Sequence, residues 1–265
     1  EKALEKRRLA LENREYQIHM EQKVELQVSQ IRKYLYEAVE ALGLEQMSLD
    51  KPDAVRQAQR YAKRMFQISG TKDAADMRQA YLQMARTLAS IAEAREPYAS
   101  GHADRVGLLA NEIAIRLGCS DEMKRQIKFA AILQDIGKIV IPDSILSKQG
   151  NLTPADFKEI NRHPTASVEI IQHVGYFKDI LPLVESHHEW YDGSGGYPKK
   201  LKGEQIPLGA RILAVADAYD ALTCQRPHRP SLTTDQAAQV LKRGAGKQWD
   251  PQVVETFLKK LGVTV

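Results

Sequence analysis

Ser120-Asp121-Glu122-Met123-Lys124-Arg125-Gln126-Ile127-Lys128-Phe129-Ala130-Ala131-Ile132-Leu133-Gln134-Asp135 is the stretch that decides how the chain is read. Ser120 offers an N-cap for a helix running through 130–134, and the apolar run 130–133 places that helix in a core. Asp135 follows the run directly, an odd place for a carboxylate. Further out, the same punctuation recurs. Tyr81, Met84, Leu88 and Ile91 mark one helical face ending at Glu96-Pro97, and Val106, Leu109, Ile113 and Leu117 mark another ending at Gly118. Thr153-Pro154 with Asp156, Thr233 with Gln236, and Asp250-Pro251 each supply a cap, a first-turn proline or a capping-box partner. Strand-like alternation is nearly absent, so the expected fold is all-α, with a compact helical domain over 78–265.

The 265 residues are 43% apolar, enough to bury a core without staples, which excludes general disorder and the disulfide-scaffold class. Cys119 and Cys224 form no CxxC pair, so no zinc knuckle or redox site is expected, and two reduced thiols read as cytoplasmic. The longest uninterrupted apolar runs, 129–133 and 212–216, are five residues, and no membrane segment or signal peptide is expected. A net charge of +4 gives no argument for a nucleic-acid polymer as partner.

Upstream, 1–44 has no proline and its first glycine is Gly43, while eight Lys/Arg and eight Asp/Glu alternate as on a solvated helix. Val24, Val28, Ile31, Leu35, Ala38 and Leu42 recur at coiled-coil spacings. That pattern reads as the seam of a parallel homodimer, or as a long helix packed on its own chain. Residues 45–77, broken at Lys51-Pro52-Asp53 and Ser69-Gly70-Thr71, read as a short helical connector. The chain begins at Glu1 without methionine, as a piece cut from a longer protein would.

The chemistry lies in the histidines. His102, His163, His187 and His188 fall in the compact domain with two carboxylates in apolar surroundings, Asp135 and Asp217. A carboxylate inside an apolar helix is costly unless paired or bound to a cation, so the set points to one metal centre. Imidazole with carboxylate and no thiolate suits iron, manganese, nickel or zinc. Two such ions about 3.5–4 Å apart clamp an in-line displacement at phosphorus. His187 and His188 are neighbours, about 100° apart on a helix. They reach one ion only where the helix is ending, and Tyr191-Asp192-Gly193 supplies that end. For any one of these histidines alone a structural role is the simpler account, but a set of unrelated buried polar groups is not.

Gln134-Asp135-Ile136-Gly137-Lys138, Asn161-Arg162-His163-Pro164, His187-His188-Glu189, Asp192-Gly193-Ser194-Gly195-Gly196-Tyr197-Pro198, Ala210-Arg211-Ile212, Val215-Ala216-Asp217 and Asp220-Ala221-Leu222-Thr223 carry a family likeness. Through them about residues 78–261 resemble the HD-GYP branch of the HD phosphohydrolase superfamily. The resemblance implies an all-helical domain that hydrolyses cyclic di-GMP to a linear dinucleotide or GMP at a metal centre. It implies a binuclear iron or manganese site in which Asp135 bridges, His163, His187 and His188 complete one half, and His102, Gln134 and Asp217 hold the other. It gives Lys138 a catalytic place, in contact with the scissile phosphate or the attacking hydroxide. Arg226 and Arg229, in a stretch similar to the family's Arg-Pro-Tyr-Arg, would grip the substrate, with Tyr197 at the pocket and His228 where a tyrosine is usual. Between Gly195 and Lys247 nine Lys/Arg stand against four Asp/Glu, a balance that suits a dianionic cyclic dinucleotide. Leu4-Glu5-Lys6-Arg7-Arg8-Leu9 and Leu11-Glu12-Asn13-Arg14 are similar to the linker that follows a receiver domain, which implies an upstream receiver or sensor domain and an output role in bacterial signalling.

Three departures from that pattern matter. Gln134 stands where the family has the first histidine, and an amide oxygen is a weaker ligand than imidazole. Two readings follow: a weakened binuclear centre that still hydrolyses, or a degenerate domain that binds metal or cyclic dinucleotide as a sensor or docking module. Hydrolysis of another phosphoester is a third, since fold does not fix substrate. Asp-Gly-Ser-Gly-Gly-Tyr-Pro has one glycine more than the pattern, which either shifts Tyr197 or is absorbed by the loop. Glu96 offers a carboxylate to a further metal or is a plain helix terminus.

Overall fold

The computed structural model describes residues 74–93, 95, 101–148, 150–224 and 230–263. The coiled coil expected over 1–44, its dimer seam and the connector up to 73 lie outside them, as do Glu96, Arg226, His228 and Arg229. Among the described residues the elements are helical, and only isolated bridges, Glu189 with Gly196 and Ala245 with Trp249, resemble strand pairing. In chain order they are α1 (Ala74–Glu93), α2 (His102–Arg116), α3 (Asp121–Leu133), a 3-10 turn (Ile136–Val140), α4 (Asp143–Leu146), α5 (Pro154–Ile160) and α6 (His163–Ile171). A second 3-10 turn (Gly175–Ile180) leads into α7 (Leu181–Ser186), followed by a third 3-10 turn (Gly203–Gln205), α8 (Leu208–Thr223), α9 (Thr234–Gly244) and α10 (Pro251–Lys260).

The caps are where the sequence puts them. Ser120 Oγ accepts the Met123 N–H at 3.2 Å. Thr153 with Asp156 and Thr233 with Gln236 close reciprocal capping boxes. Asp250 accepts from the Gln252 and Val253 amides ahead of Pro251. Each such cap stabilises its helix by about 1 kcal/mol. Gly118, at φ 70°, ends α2 in the left-handed region that a side chain would resist.

Helix α3 is central, packed against α1, α2, α7 and α8. Ile127 and Leu133 are fully buried in a cluster that includes Ile113, Phe177, Leu213 and Phe257. Burying each of these side chains contributes about 1.5–3 kcal/mol. The described part of α1 runs Ala74–Glu93. Its most buried face includes Ala85, Ala89 and Ala92 beside Met84, with Tyr81 and Leu88 only partly covered. Small residues let α1 lie close to its neighbour, so the contact face is narrower in volume than the large apolar residues imply.

One close approach fixes the site. A Cβ on Gly137 would lie 2.1 Å from the His163 carbonyl oxygen and 2.5 Å from the Ser167 nitrogen, so only glycine lets the turn rest on α6. Ser167 Oγ accepts the Gly137 N–H at 2.8 Å and donates to the Gln134 carbonyl at 2.7 Å. The end of α3 is thereby tied to the start of α6, which carries His163.

Candidate metal centre

Asp135 sits between α3 and the turn that follows, with φ −101° and ψ 0°, in the sparsely populated bridge region where active-site residues recur. His163 opens α6. His187 caps the end of α7, so His187 and His188 leave the helix together, as their adjacency requires. These elements bring one ligand atom each from Asp135, His163, His187 and His188 within 4.8 Å of one another.

The two buried imidazoles are held by backbone. His163 Nδ1 donates to the Ile160 carbonyl at 2.8 Å, and His187 Nδ1 donates to the Val184 carbonyl at 2.6 Å. Their Nε2 atoms are then acceptors, and they face each other at 3.3 Å, with Asp135 Oδ1 3.3 Å from His163 Nε2. Two imidazole lone pairs at that separation repel unless a cation lies between them, so the donor set fits a divalent transition metal. Burial pushes His163 down to about 4, His187 to about 3 and His188 to about 4. All three are neutral near pH 7, the form that ligates.

The opposite wall is built from charge. His102 Nε2 lies 3.1 Å from Asp217 Oδ1 and 3.5 Å from Asp135 Oδ2, while its Nδ1 is 2.7 Å from Asp220 Oδ2. Burial alone would lower the His102 pKa, but the hydrogen bonds to Asp135, Asp217 and Asp220 outweigh it and raise it to about 12. Burial likewise opposes ionisation of Asp135, yet Lys138, then His102 and His163, hold it well below the usual carboxylate range. Lys138 Nζ is 3.1 Å from Asp135 Oδ2. Asp217 is also held low, against its burial, by the His102 hydrogen bond.

Gln134 is 1% exposed, and neither Oε1 nor Nε2 of its amide has a hydrogen-bond partner. An orphaned buried polar group costs about 1–3 kcal/mol, so this amide calls for a ligand or an ion. Tyr197 packs its ring 4.9 Å from that of His188 and 6.2 Å from that of His163. Gly196 has φ 77°, and a Cβ there would meet the Trp190 nitrogen at 2.4 Å.

The structure thus draws together Asp135, Lys138, His102, His163, His187, His188, Asp217 and Tyr197, while Arg226 and Arg229 fall outside the described residues. It also reveals residues the sequence reading gave no role. Glu189 is 3% exposed and accepts the amides of Lys199, Lys200 and Leu201 at 2.6, 3.1 and 3.0 Å, folding the tyrosine loop back on itself. Arg95 donates to the carbonyls of Lys138, Ile139 and Ile141 at 3.1, 2.5 and 2.7 Å, bracing the turn that carries Lys138. Glu93 accepts the Gly101 and Ala103 amides, both at 3.0 Å, at the start of α2. Only Glu189 was signalled in advance, by its place after the histidine pair.

A family model described as the HD domain matches residues 86–253. The chain is 40% identical over 173 residues to a cyclic di-GMP phosphodiesterase of Thermotoga maritima, covering 64% of this chain and 46% of that protein. It is 42% identical over 174 residues to the cyclic di-GMP phosphodiesterase response regulator RpfG of Xanthomonas campestris, covering 65% and 46%. It is 33% identical over 185 residues to 3'3'-cGAMP-specific phosphodiesterase 3 of Vibrio cholerae, covering 69% and 40%. The chain spans less than half the length of each of these relatives. Among solved structures, the HDG"Y"P protein Bd1817 of Bdellovibrio bacteriovorus shares the fold, with a TM-score of 0.52 at 18% identity, covering 87% of this chain and 79% of that one. No described helix is long and apolar enough to cross a membrane.

Proposed function

The chain belongs to the HD-domain family, and from that premise we propose that it is a metal-dependent phosphodiesterase acting on cyclic di-GMP, the output part of a cytoplasmic signalling protein. The observation that carries this reading is the pair of imidazole nitrogens facing each other at 3.3 Å beside Asp135. Relatives named as cyclic dinucleotide phosphodiesterases favour hydrolysis over the binding-only alternative.

The metal we assign is iron or manganese, in a binuclear centre; when bound, it supplies Lewis acidity toward the phosphoryl oxygens. His163, His187 and His188 hold one half. The backbone-anchored Nδ1 atoms of His163 and His187 orient those two rings before any ion arrives. His102, Asp217 and Gln134 hold the other, Gln134 as the weakest donor. Asp135 offers one oxygen toward His163 and the other toward His102, which supports its being shared by both halves. Lys138 neutralises charge that develops on the phosphate. Tyr197 walls the pocket against His188, and Arg226 and Arg229 fork the substrate's phosphates. A homodimer through 1–44 and an upstream receiver or sensor domain complete the proposal.

The test is direct. Purified protein loaded with manganese or iron(II) is incubated with cyclic di-GMP, and in a parallel arm with 3'3'-cGAMP, and products are separated by chromatography. Linear dinucleotide or GMP from cyclic di-GMP is the expected result. Product from 3'3'-cGAMP alone would overturn the substrate assignment. Nucleotide binding without turnover in either arm would overturn the enzyme reading.

A further inference from the structure

Asp220 lies one helical turn beyond Asp217 on α8, on the same side of the helix, and is 3% exposed. A charge so covered needs partners for both oxygens, and it has them. Oδ2 is 2.7 Å from His102 Nδ1. Arg105 closes on the carboxylate as a fork, Nε to Oδ1 at 2.6 Å and Nη2 to Oδ2 at 3.1 Å. Cys224 Sγ adds a contact to Oδ1 at 3.3 Å. His102 and Arg105 stand three residues apart on α2, so one carboxylate of α8 grips two side chains of one α2 face.

This arrangement differs from that of His163 and His187, whose Nδ1 atoms are anchored to carbonyls of their own chain segment. His102 sits in the first turn of α2, where no preceding helical carbonyl is available to orient it. We propose that Asp220, clamped by Arg105, is the positioning residue of this half of the metal centre. It fixes His102 with its proton on Nδ1 and aims Nε2 at the space between Asp217 Oδ1, 3.1 Å away, and Asp135 Oδ2, 3.5 Å away. The ion it serves is a divalent transition metal, and Asp220 does not touch it. An outer carboxylate of this kind orients the ring and strengthens the ligand. The inference rests on His102 being a ligand, as read above.

The experiment is a manganese titration of the full chain by calorimetry, with the metal stripped beforehand. Asp220→Asn and Asp220→Ala should each weaken manganese binding about 10- to 100-fold on the His102 side, leaving the His163 side at wild-type affinity. Arg105→Ala should weaken it in the same direction by less, and Arg105→Lys should recover part of the loss. Asp220→Asn, equal in size to the native residue, keeps the test open where the alanine variant does not fold. A purely structural tie between α2 and α8 predicts a lower Tm with manganese affinity unchanged, and that result would overturn the proposal. Nitrogen-15 labelling of histidine in the zinc-loaded protein gives a second readout: His102 should carry its proton on Nδ1, and a proton on Nε2 would equally overturn it. His102→Ala separates the two levels. If it leaves manganese binding intact, the ligand reading itself has failed; if it weakens binding and Asp220→Asn does not, only the positioning role has failed.

Discussion

The two walls of the candidate metal pocket are built in opposite ways. On the His163 side burial keeps two imidazoles neutral, while the backbone carbonyls of Ile160 and Val184 fix their orientation. On the His102 side three carboxylates surround one imidazole and push its pKa to about 12, while the neighbouring Gln134 amide has no partner at all. The first wall is built from neutral imidazoles oriented by backbone, the second from carboxylates paired with His102, Arg105 and Lys138. The difference teaches that the Gln134 amide lies on the wall where Asp135 and Asp217 already offer carboxylate oxygens to a cation.

Asp135 has one oxygen near His163 and the other near His102, and removing its charge should break the comparison most severely. Asp135→Asn should lower manganese affinity on both sides and abolish turnover, by more than the roughly 10- to 100-fold that an outer partner commands. His163→Asn should weaken one side only. Metal content by mass spectrometry and calorimetric titration check both variants. If Asp135→Asn leaves either side at wild-type affinity, the halves do not share the carboxylate.

A second, smaller effect separates the walls by pH. In metal-stripped protein His163, His187 and His188 titrate at about 4, 3 and 4, below their ordinary 6.5, so the unfolded chain binds more protons as pH falls below 6.5. Their stability contribution is complete above 6.5 and is lost toward pH 4. For His102, raised to about 12, the sign reverses: its contribution is complete below 6.5 and is lost as pH rises toward 12. That loss reaches at most about 2 kcal/mol by pH 8, several degrees in Tm. A plot of Tm against pH should therefore peak near the ordinary histidine value. His102→Gln should flatten the alkaline limb and His187→Gln the acid limb. An alkaline limb unchanged in His102→Gln would show that the carboxylate wall does not hold an imidazolium.

The two walls were also unequally legible in the sequence. Caps at Ser120, Thr153, Thr233 and Asp250 could be read because capping is local: the side chain and the amide it serves are two or three residues apart. The adjacency of His187 and His188 forced a helix end, and α7 ends there. Asp135 and Asp217 stood out as carboxylates beside apolar runs. What could not be read joins distant segments. Asp220 reaches His102 across 118 positions, and Arg95 reaches the Lys138 turn across 43. Neither has a periodic or compositional mark. In α1 the large residues Tyr81, Met84 and Leu88 drew attention, although close packing there depends on alanines, whose burial leaves a weaker pattern.

Gln134→His gives the smallest expected effect and the finest test of the charge-built wall. Gln134 follows α3 as its C-cap with helical dihedrals, φ −56° and ψ −36°, so the backbone accepts histidine without strain. The exchange removes an orphaned amide and supplies an imidazole nitrogen, a better donor to a transition metal than an amide oxygen. Carboxylates already dominate attraction on this side, so the gain should be about tenfold in manganese affinity there, the low end of what groups bordering a metal change, with no gain on the His163 side. Paired with Asp220→Asn, the variant should not regain wild-type affinity, because an added ligand does not orient His102. Unchanged metal stoichiometry and affinity in Gln134→His would mean that position 134 faces no ion. The orphaned amide would then be a packing defect of the α3 terminus rather than a vacant place in the ligand set.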